Sequence, residues 1–278
     1  MPELPELEVI CEVLQRRMVG QTIQAVRIIP PGGPIVIRDL TRLGFVAALT
    51  GATFHHIARR GKFLIFSFEG AGSSIYLALN PKLNGRLQLA AATEKLRPKT
   101  QVVFDLANST QLRYLDQKQM GQLYLVHDLK TVPDYAALGP EALEISLEEF
   151  RTRLKPFRGE IKGVLIRPEF VAGIGNAYAD EILWEARLHP YRKRTQLSSE
   201  QIEALYNAMR ATLQGAIEKI RPEMGEATER EPRDFMAVHM KTGQPCPRCG
   251  TPISLVGANQ RITNFCRTCQ PGGLIKGM

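Results

Sequence analysis

Four of the five cysteines in this 278-residue chain stand in two pairs near its C-terminal end, CPRC (Cys246, Cys249) and CRTC (Cys266, Cys269). The pattern is C-x2-C-x16-C-x2-C. Four thiolates at this spacing can close a tetrahedral zinc site around a short loop. Two disulfides are the competing reading. The acidic start MPELPELE lacks the positive and apolar regions of a secretory signal. A cytoplasmic location is therefore expected, nucleoid-associated in a bacterium, and the cytosol keeps thiols reduced. One structural zinc ion is expected, with no open position for catalysis. Cys11 stands alone and reads as a small buried hydrophobe.

Upstream of the cysteines the hydrophobic period changes twice. Residues 2–19 read as a helix, with Leu7, Ile10, Leu14 and Met18 at helical spacing. Between about 22 and 128 come short apolar runs: TIQAVRII, FLIFSF, SIYLALN, RLQLA, QVVFDL, QLRYLD and QLYLVH. Turn signals at PPGGP, EGAGSS and LANST separate them. Many short strands with turns between them indicate a sandwich or barrel. The alternation Gln111, Leu112, Arg113, Tyr114, Leu115 suggests strands with one wet face.

Residues 131–145 read as a linker, with Pro133, Gly139 and Pro140. Helical patterns follow. SLEEFRTRLK opens with Ser146 and has Glu149 three residues on, a capping-box arrangement. A turn at VAGIGN separates a helical stretch near 160–167 from one over 177–189. Residues 198–220 predict a long amphipathic helix, with Ile202, Leu205, Met209, Leu213 and Ile217 on one face. The predicted organisation is α+β. It comprises a β-sandwich or barrel domain with an N-terminal helix (1–130), a linker (131–145), a helical domain (146–225), and a loop with the cysteine module (226–278).

Net charge is +8. Residues 1–150 hold 16 basic and 15 acidic side chains, and residues 151–278 hold 20 and 13. The excess in the second half points to a polyanionic partner, nucleic acid first. A generally basic solvated surface is the other reading. No apolar run approaches the length of a membrane span. GIGN (173–176) offers backbone N–H groups beside a helix N-terminus, where phosphate is favoured. Asn176 there either caps the helix or presents its amide to phosphate.

MPELPE at the start, RRGK (59–62), GIGNAYADE (173–181) and QRITNFCRTC (260–269) occur in this order. Together they resemble the formamidopyrimidine-DNA glycosylase and endonuclease VIII family, with the formamidopyrimidine branch the better match. The resemblance spans the chain. It implies a β-sandwich, a helix–two-turns–helix domain and a zinc finger, and base excision followed by lyase cleavage of double-stranded DNA at a damaged base or abasic site. A monomer is expected.

The resemblance also implies that the initiator Met is removed, which would leave Pro2 as a terminal secondary amine. An α-amino group titrates near ~8, well below a lysine, so a usable fraction is neutral at cellular pH. Attack on the sugar C1′ would form a Schiff base. Glu3 would protonate the ring oxygen and shuttle protons afterwards, and Glu6 would hold the terminus. Lys62 would act in the cleft against phosphate beside the lesion; without the resemblance it reads as a turn lysine. Arg261, by the same match, would bind phosphate around the flipped nucleotide. Three departures stand out. Leu83 takes the place of a void-filling Met, Lys118 of an Arg facing the orphaned base, and Met120 of a Phe wedge. Asn80 replaces a His. The segment after the long helix is shorter and carries Glu226, Glu229, Glu231 and Asp234. Two alternatives follow: a shifted lesion preference, towards oxidised pyrimidines or bulky adducts, or a damage-binding protein with weak or no catalysis.

Overall fold

A computed structural model describes residues 1–69, 74–258 and 261–272, without the side chains of Ala258 and Arg261. The chain divides into two compact units. The first comprises residues 1–137 and 220–232, and the second 138–219 and 233–278.

In the first unit, helix α1 (Leu4–Met18) leads into β1 (Ile23–Ile28), α2 (Gly33–Val36), β2 (Ile37–Asp39), α3 (Phe45–Leu49) and β3 (Thr53–Arg60). Strands β4 (Phe63–Glu69), β5 (Tyr76–Asn80), β6 (Arg86–Ala91), β7 (Thr100–Leu106), β8 (Thr110–Leu115) and β9 (Gln122–Val126) follow. They form one sheet in the order β2-β9-β5-β4-β3 and another in the order β1-β7-β8-β6. All pairs are antiparallel except β2 with β9. The α1 stripe Leu7, Ile10, Leu14 and Met18 is buried, as its spacing predicts. Strand β3 is not predicted by the sequence pattern. Its run TFHHIARR has two adjacent histidines and two adjacent arginines, which hide the period of two; pairing with β4 decides its conformation.

The expected wet face of β8 is dry. Arg113 is 0% exposed and Gln111 is buried with it. The connection after β6 covers that face. The Arg113 guanidinium donates to the carbonyls of Ala91, Glu94 and Lys95, and its Nε to Gln111 Oε1. Five N–H donors in a fork can satisfy that many acceptors, so a buried charge is tolerated here.

In the second unit come α4 (Leu147–Leu154), α5 (Ile161–Leu165), α6 (Asn176–Glu185) and α7 (Ser199–Met224), whose last turns belong with the first unit. Ser146 caps α4, accepting the Glu149 N–H at 3.1 Å. Ser198 and Gln201 exchange backbone-to-side-chain bonds at the start of α7. Leu205, Met209, Leu213 and Ile217 form its buried face, and Ile202 is half-buried. A hairpin of β10 (Ser254–Ala258) and β11 (Arg261–Phe265) lies between the two cysteine pairs. No helix among the described residues is long and apolar enough to cross a membrane.

Candidate active site and metal centre

The N-terminus is an ordered part of the first unit. Pro2, Glu3 and Glu6 are all buried. Helix α1 starts at Leu4, with Pro5 in its first turn, where a missing N–H costs nothing. The Glu3 N–H donates to Glu6 Oε2 at 2.9 Å, so Glu6 holds the backbone next to Pro2. The ammonium of Met1 lies 3.1 Å from Glu231 Oε1, and Arg86 is paired with the same carboxylate.

Lys62 occupies the tight turn between β3 and β4, after Gly61 at φ 55°. Arg59 bridges this turn to α1: its Nε donates to Glu8, and Nη1 to the Gly61 carbonyl at 3.2 Å. The Lys62 turn is therefore tied to the helix that Pro2 and Glu3 lead into. On the same helix, burial and the neighbouring Glu8 push the Cys11 thiol up to about 12, so it stays protonated and inert.

Leu83 sits in the loop between β5 and β6, and Lys118 and Met120 in the loop between β8 and β9. Leu83 is 42% exposed and Met120 46%, and Lys118 is also on the surface. Asn80 accepts the Lys82 N–H at 3.1 Å and so shapes the first loop. The acidic segment after α7 is anchored within the first unit. Glu226 pairs with Arg16 and Arg17, Glu229 with Arg97, and Glu231 with Arg86. The buried Thr228 hydroxyl donates to the Leu87 carbonyl at 2.8 Å.

In the second unit the GIGN turn precedes α6, whose N-cap is Gly175 rather than Asn176. The Asn176 amide instead donates to the Ile262 carbonyl of β11 at 2.9 Å. Two further buried groups, Lys162 and Asp180, converge on this hairpin, and Glu181 beside them holds the segment 237–239. Lys162 reaches Thr263 Oγ1 at 2.8 Å and Asp180 Oδ1 at 2.6 Å. Asp180 Oδ2 accepts from the Asn264 N–H and lies 2.9 Å from His239 Nδ1. Glu181 accepts the N–H groups of Ala237, Val238 and His239, each at 2.8 Å. Burial pushes the Glu181 carboxyl up, against the pull of those three bonds. Asp180 and Glu181 stand within the GIGNAYADE motif, whereas Lys162, His239 and Asn264 belong to no site predicted from the sequence. The available signal was two adjacent carboxylates in a helix whose other face is apolar. Arg261 begins β11; its side chain lies outside the described residues.

The Cys246, Cys249, Cys266 and Cys269 sulfurs all lie within 4.8 Å of one another. Cys246 and Cys269 Sγ are 3.8 Å apart, and Cys249 and Cys266 Sγ 3.4 Å. A disulfide needs about 2.05 Å. A tetrahedron with Zn–S near 2.3 Å has edges of about 3.8 Å. The quartet thus fits one metal ion and not two disulfides. Trp184 Nε1 donates to Cys246 Sγ at 3.4 Å, and Gln270 links the Cys266 N–H to the Leu188 carbonyl.

A sandwich that buries a Pro-Glu terminus and a hairpin flanked by four thiolates define a two-unit protein of the zinc-finger class. Residues 1–123 match the formamidopyrimidine-DNA glycosylase N-terminal domain, residues 137–225 the H2TH domain of the same enzymes, and residues 243–272 a zinc finger found in FPG and IleRS. The chain belongs to the formamidopyrimidine-DNA glycosylase family. It is 38% identical to the formamidopyrimidine-DNA glycosylase of Symbiobacterium thermophilum, over 98% of this chain and 90% of that one. The Enterococcus faecalis enzyme is 35% identical, over 97% of each chain. Among solved structures, Lactococcus lactis Fpg in complex with abasic-site DNA has a TM-score of 0.86 at 30% identity, covering 97% of this chain and 100% of that one. MutM bound to DNA containing carbocyclic 8-oxo-G also gives 0.86 at 30% identity, covering 98% and 100%.

Proposed function

We propose that this chain is a bifunctional DNA glycosylase and AP lyase that excises oxidised or ring-opened bases from double-stranded DNA. The observation that carries the reading is the buried, hydrogen-bonded Pro2-Glu3 terminus, in a chain that matches the glycosylase family along its length. That terminus argues against a binding protein that has lost catalysis, since binding alone has no use for it.

The base must leave the stack before C1′ can be attacked. With Met1 removed, the Pro2 nitrogen donates its lone pair to C1′, the base departs with the electrons of the glycosidic bond, and the proton lost from the Pro2 nitrogen passes through solvent to the departing base. Glu3 protonates the ring oxygen as the C1′–O4′ bond opens, leaving an iminium between Pro2 and C1′. Loss of a proton from C2′ expels the 3′ phosphate, and a second elimination expels the 5′ phosphate. Water then hydrolyses the iminium and frees the amine. Lys62, Asn176 and Arg261 hold phosphates around the flipped nucleotide, and Leu83, Lys118 and Met120 fill the gap it leaves. Lys118 offers a point charge and not a bidentate fork, so opposite-base preference is weaker than an arginine would give. Cys246, Cys249, Cys266 and Cys269 hold one zinc ion that stiffens the hairpin. The protein acts as a cytoplasmic monomer.

Borohydride trapping on an abasic-site duplex tests this. The expected adduct maps to Pro2, and a variant that retains Met1 forms none, because an amide nitrogen has no available lone pair. Trapping that persists with Met1 and vanishes in Lys62→Ala would move the nucleophile to Lys62. No adduct with any form would leave the binding-protein reading.

A further inference from the structure

The loops 81–85 and 116–121 run side by side. Asn80, which ends β5, pairs with Gln122, which begins β9. Arg86, which begins β6, pairs with Leu115, which ends β8. Both loops therefore cross from one sheet of the sandwich to the other at the same end of the strands. The first carries Leu83, and the second carries Lys118 and Met120.

Tyr114 lies where the loops meet, fully buried. Its hydroxyl donates to Asp116 Oδ2 at 3.1 Å. Asp116 is also 0% exposed. Its Oδ2 accepts the Gly121 N–H at 2.7 Å, and its Oδ1 accepts the N–H groups of Lys118 and Gln119 at 3.0 Å each. One carboxylate thus shapes the whole second loop, including Gln119 at φ 54°, a conformation few non-glycine residues adopt. The first loop closes on the same hydroxyl. The Gly85 N–H donates to the Pro81 carbonyl at 2.9 Å. A methyl group on Gly85 would collide with the Tyr114 hydroxyl and with the Pro81 backbone. A methyl group on Gly121 would overlap that hydroxyl from the other loop. Two glycines, one from each loop, flank a single oxygen atom.

We propose that Tyr114 and Asp116 are a positioning pair that locks the two loops in one register, so that Leu83, Lys118 and Met120 enter the duplex as a unit and set the opposite-base preference. This rests on the assignment of those three residues as void-filling. Hydrogen bonds to a charged acceptor are the stronger kind. Two separately mobile loops would each lose conformational freedom on insertion, and a shared anchor removes that loss before DNA arrives. Leu83 and Met120 are held out in water, where an apolar wedge must be to reach a base step.

Tyr114→Phe keeps the ring and removes the hydroxyl. Single-turnover excision is measured on duplexes carrying one damaged base opposite each of the four bases. In the wild-type background, Leu83→Ala and Met120→Ala should be coupled by about threefold or more. In the Tyr114→Phe background the coupling should vanish, and discrimination among opposite bases should narrow. Borohydride trapping on a single-stranded abasic oligonucleotide, which leaves no void to fill, should be unchanged by Tyr114→Phe. Gly121→Ala should slow duplex excision, and adding Tyr114→Phe should restore it in part. Without the hydroxyl, the nearest atoms to that methyl are 3.1 Å away. A Tyr114→Phe protein with wild-type coupling and wild-type opposite-base discrimination would overturn the proposal. Should Tyr114→Phe not fold, amide exchange in the unmodified protein decides. The Gly85 and Gly121 amides should then open with one common protection factor, and independent opening would overturn the proposal. If the wild-type protein forms no borohydride adduct, the glycosylase reading fails. If it forms one and the coupling is absent, only the positioning role fails.

Discussion

Lys162 Nζ lies 2.6 Å from Asp180 Oδ1, and both side chains are buried. The pair joins α5 to α6, and Lys162 extends to β11 through the Thr263 hydroxyl. Breaking a buried ion pair from one side strands the other charge and costs about 3–5 kcal/mol. Lys162→Met should destabilise the second unit by that order, read by denaturant unfolding. It should also free the zinc hairpin before the sandwich melts, read by loss of DNA binding with the far-ultraviolet strand signal retained. A change below 1 kcal/mol would show that the pair is dispensable.

The four sulfurs should bind one equivalent of zinc in protein prepared without added metal. Chelation or Cys249→Ser should abolish DNA binding while residues 1–137 remain folded, because no cysteine of the quartet belongs to that unit. Metal analysis with circular dichroism checks both parts. Disulfides without metal would contradict the sulfur geometry.

DNA affinity should fall steeply with salt, since residues 151–278 hold 20 basic against 13 acidic side chains. Each phosphate contact removed lowers the slope of log K against log salt by about 0.9. Arg261→Ala and Lys62→Ala should each lower it by about that much. Unchanged slopes would mark both as ordinary surface charges.

His189 should make the second unit sensitive to mild acid. Burial pulls its pKa down, and its Nδ1 accepts the Tyr191 N–H at 3.3 Å, which requires the neutral ring. The unfolded chain then binds the proton more readily than the folded one. The stability His189 contributes is complete above the unfolded value of about 6.5 and is lost as pH falls towards the folded value. Unfolding of zinc-loaded protein at neutral and mildly acidic pH should show the drop, and His189→Gln should reduce it.

The Pro-Glu terminus and the cysteine quartet were legible without coordinates because each is built from local patterns. Pro2 and Glu3 are neighbours, Glu6 is within one helical turn, and each cysteine pair spans four residues. The α1 and α7 stripes were legible for the same reason: a helix brings residues three and four apart onto one face whatever surrounds it. Periodicity failed where a distant segment supplied the environment. Arg113 was read as solvent-facing, yet the carbonyls of residues 91, 94 and 95 enclose it. The cap position before α6 fits Asn176 by sequence, yet Gly175 takes it, and the Asn176 amide bonds a carbonyl 86 residues away.

The sequence by itself therefore determined the inventory: a strand-rich first part, helices in the second, a Pro-Glu terminus, and a thiolate quartet. A helical stripe and a C-x2-C pair are each set within one short stretch of chain, so they are legible without the rest of it. The tertiary structure alone decided which elements share an edge or a charge. Glu231 meets Arg86 across 145 residues, and the Tyr114 hydroxyl lies against Gly85 of a separate loop. Such pairings depend on strand order and register, which many sheets could satisfy with the same local pattern. Only the packed sandwich selects one.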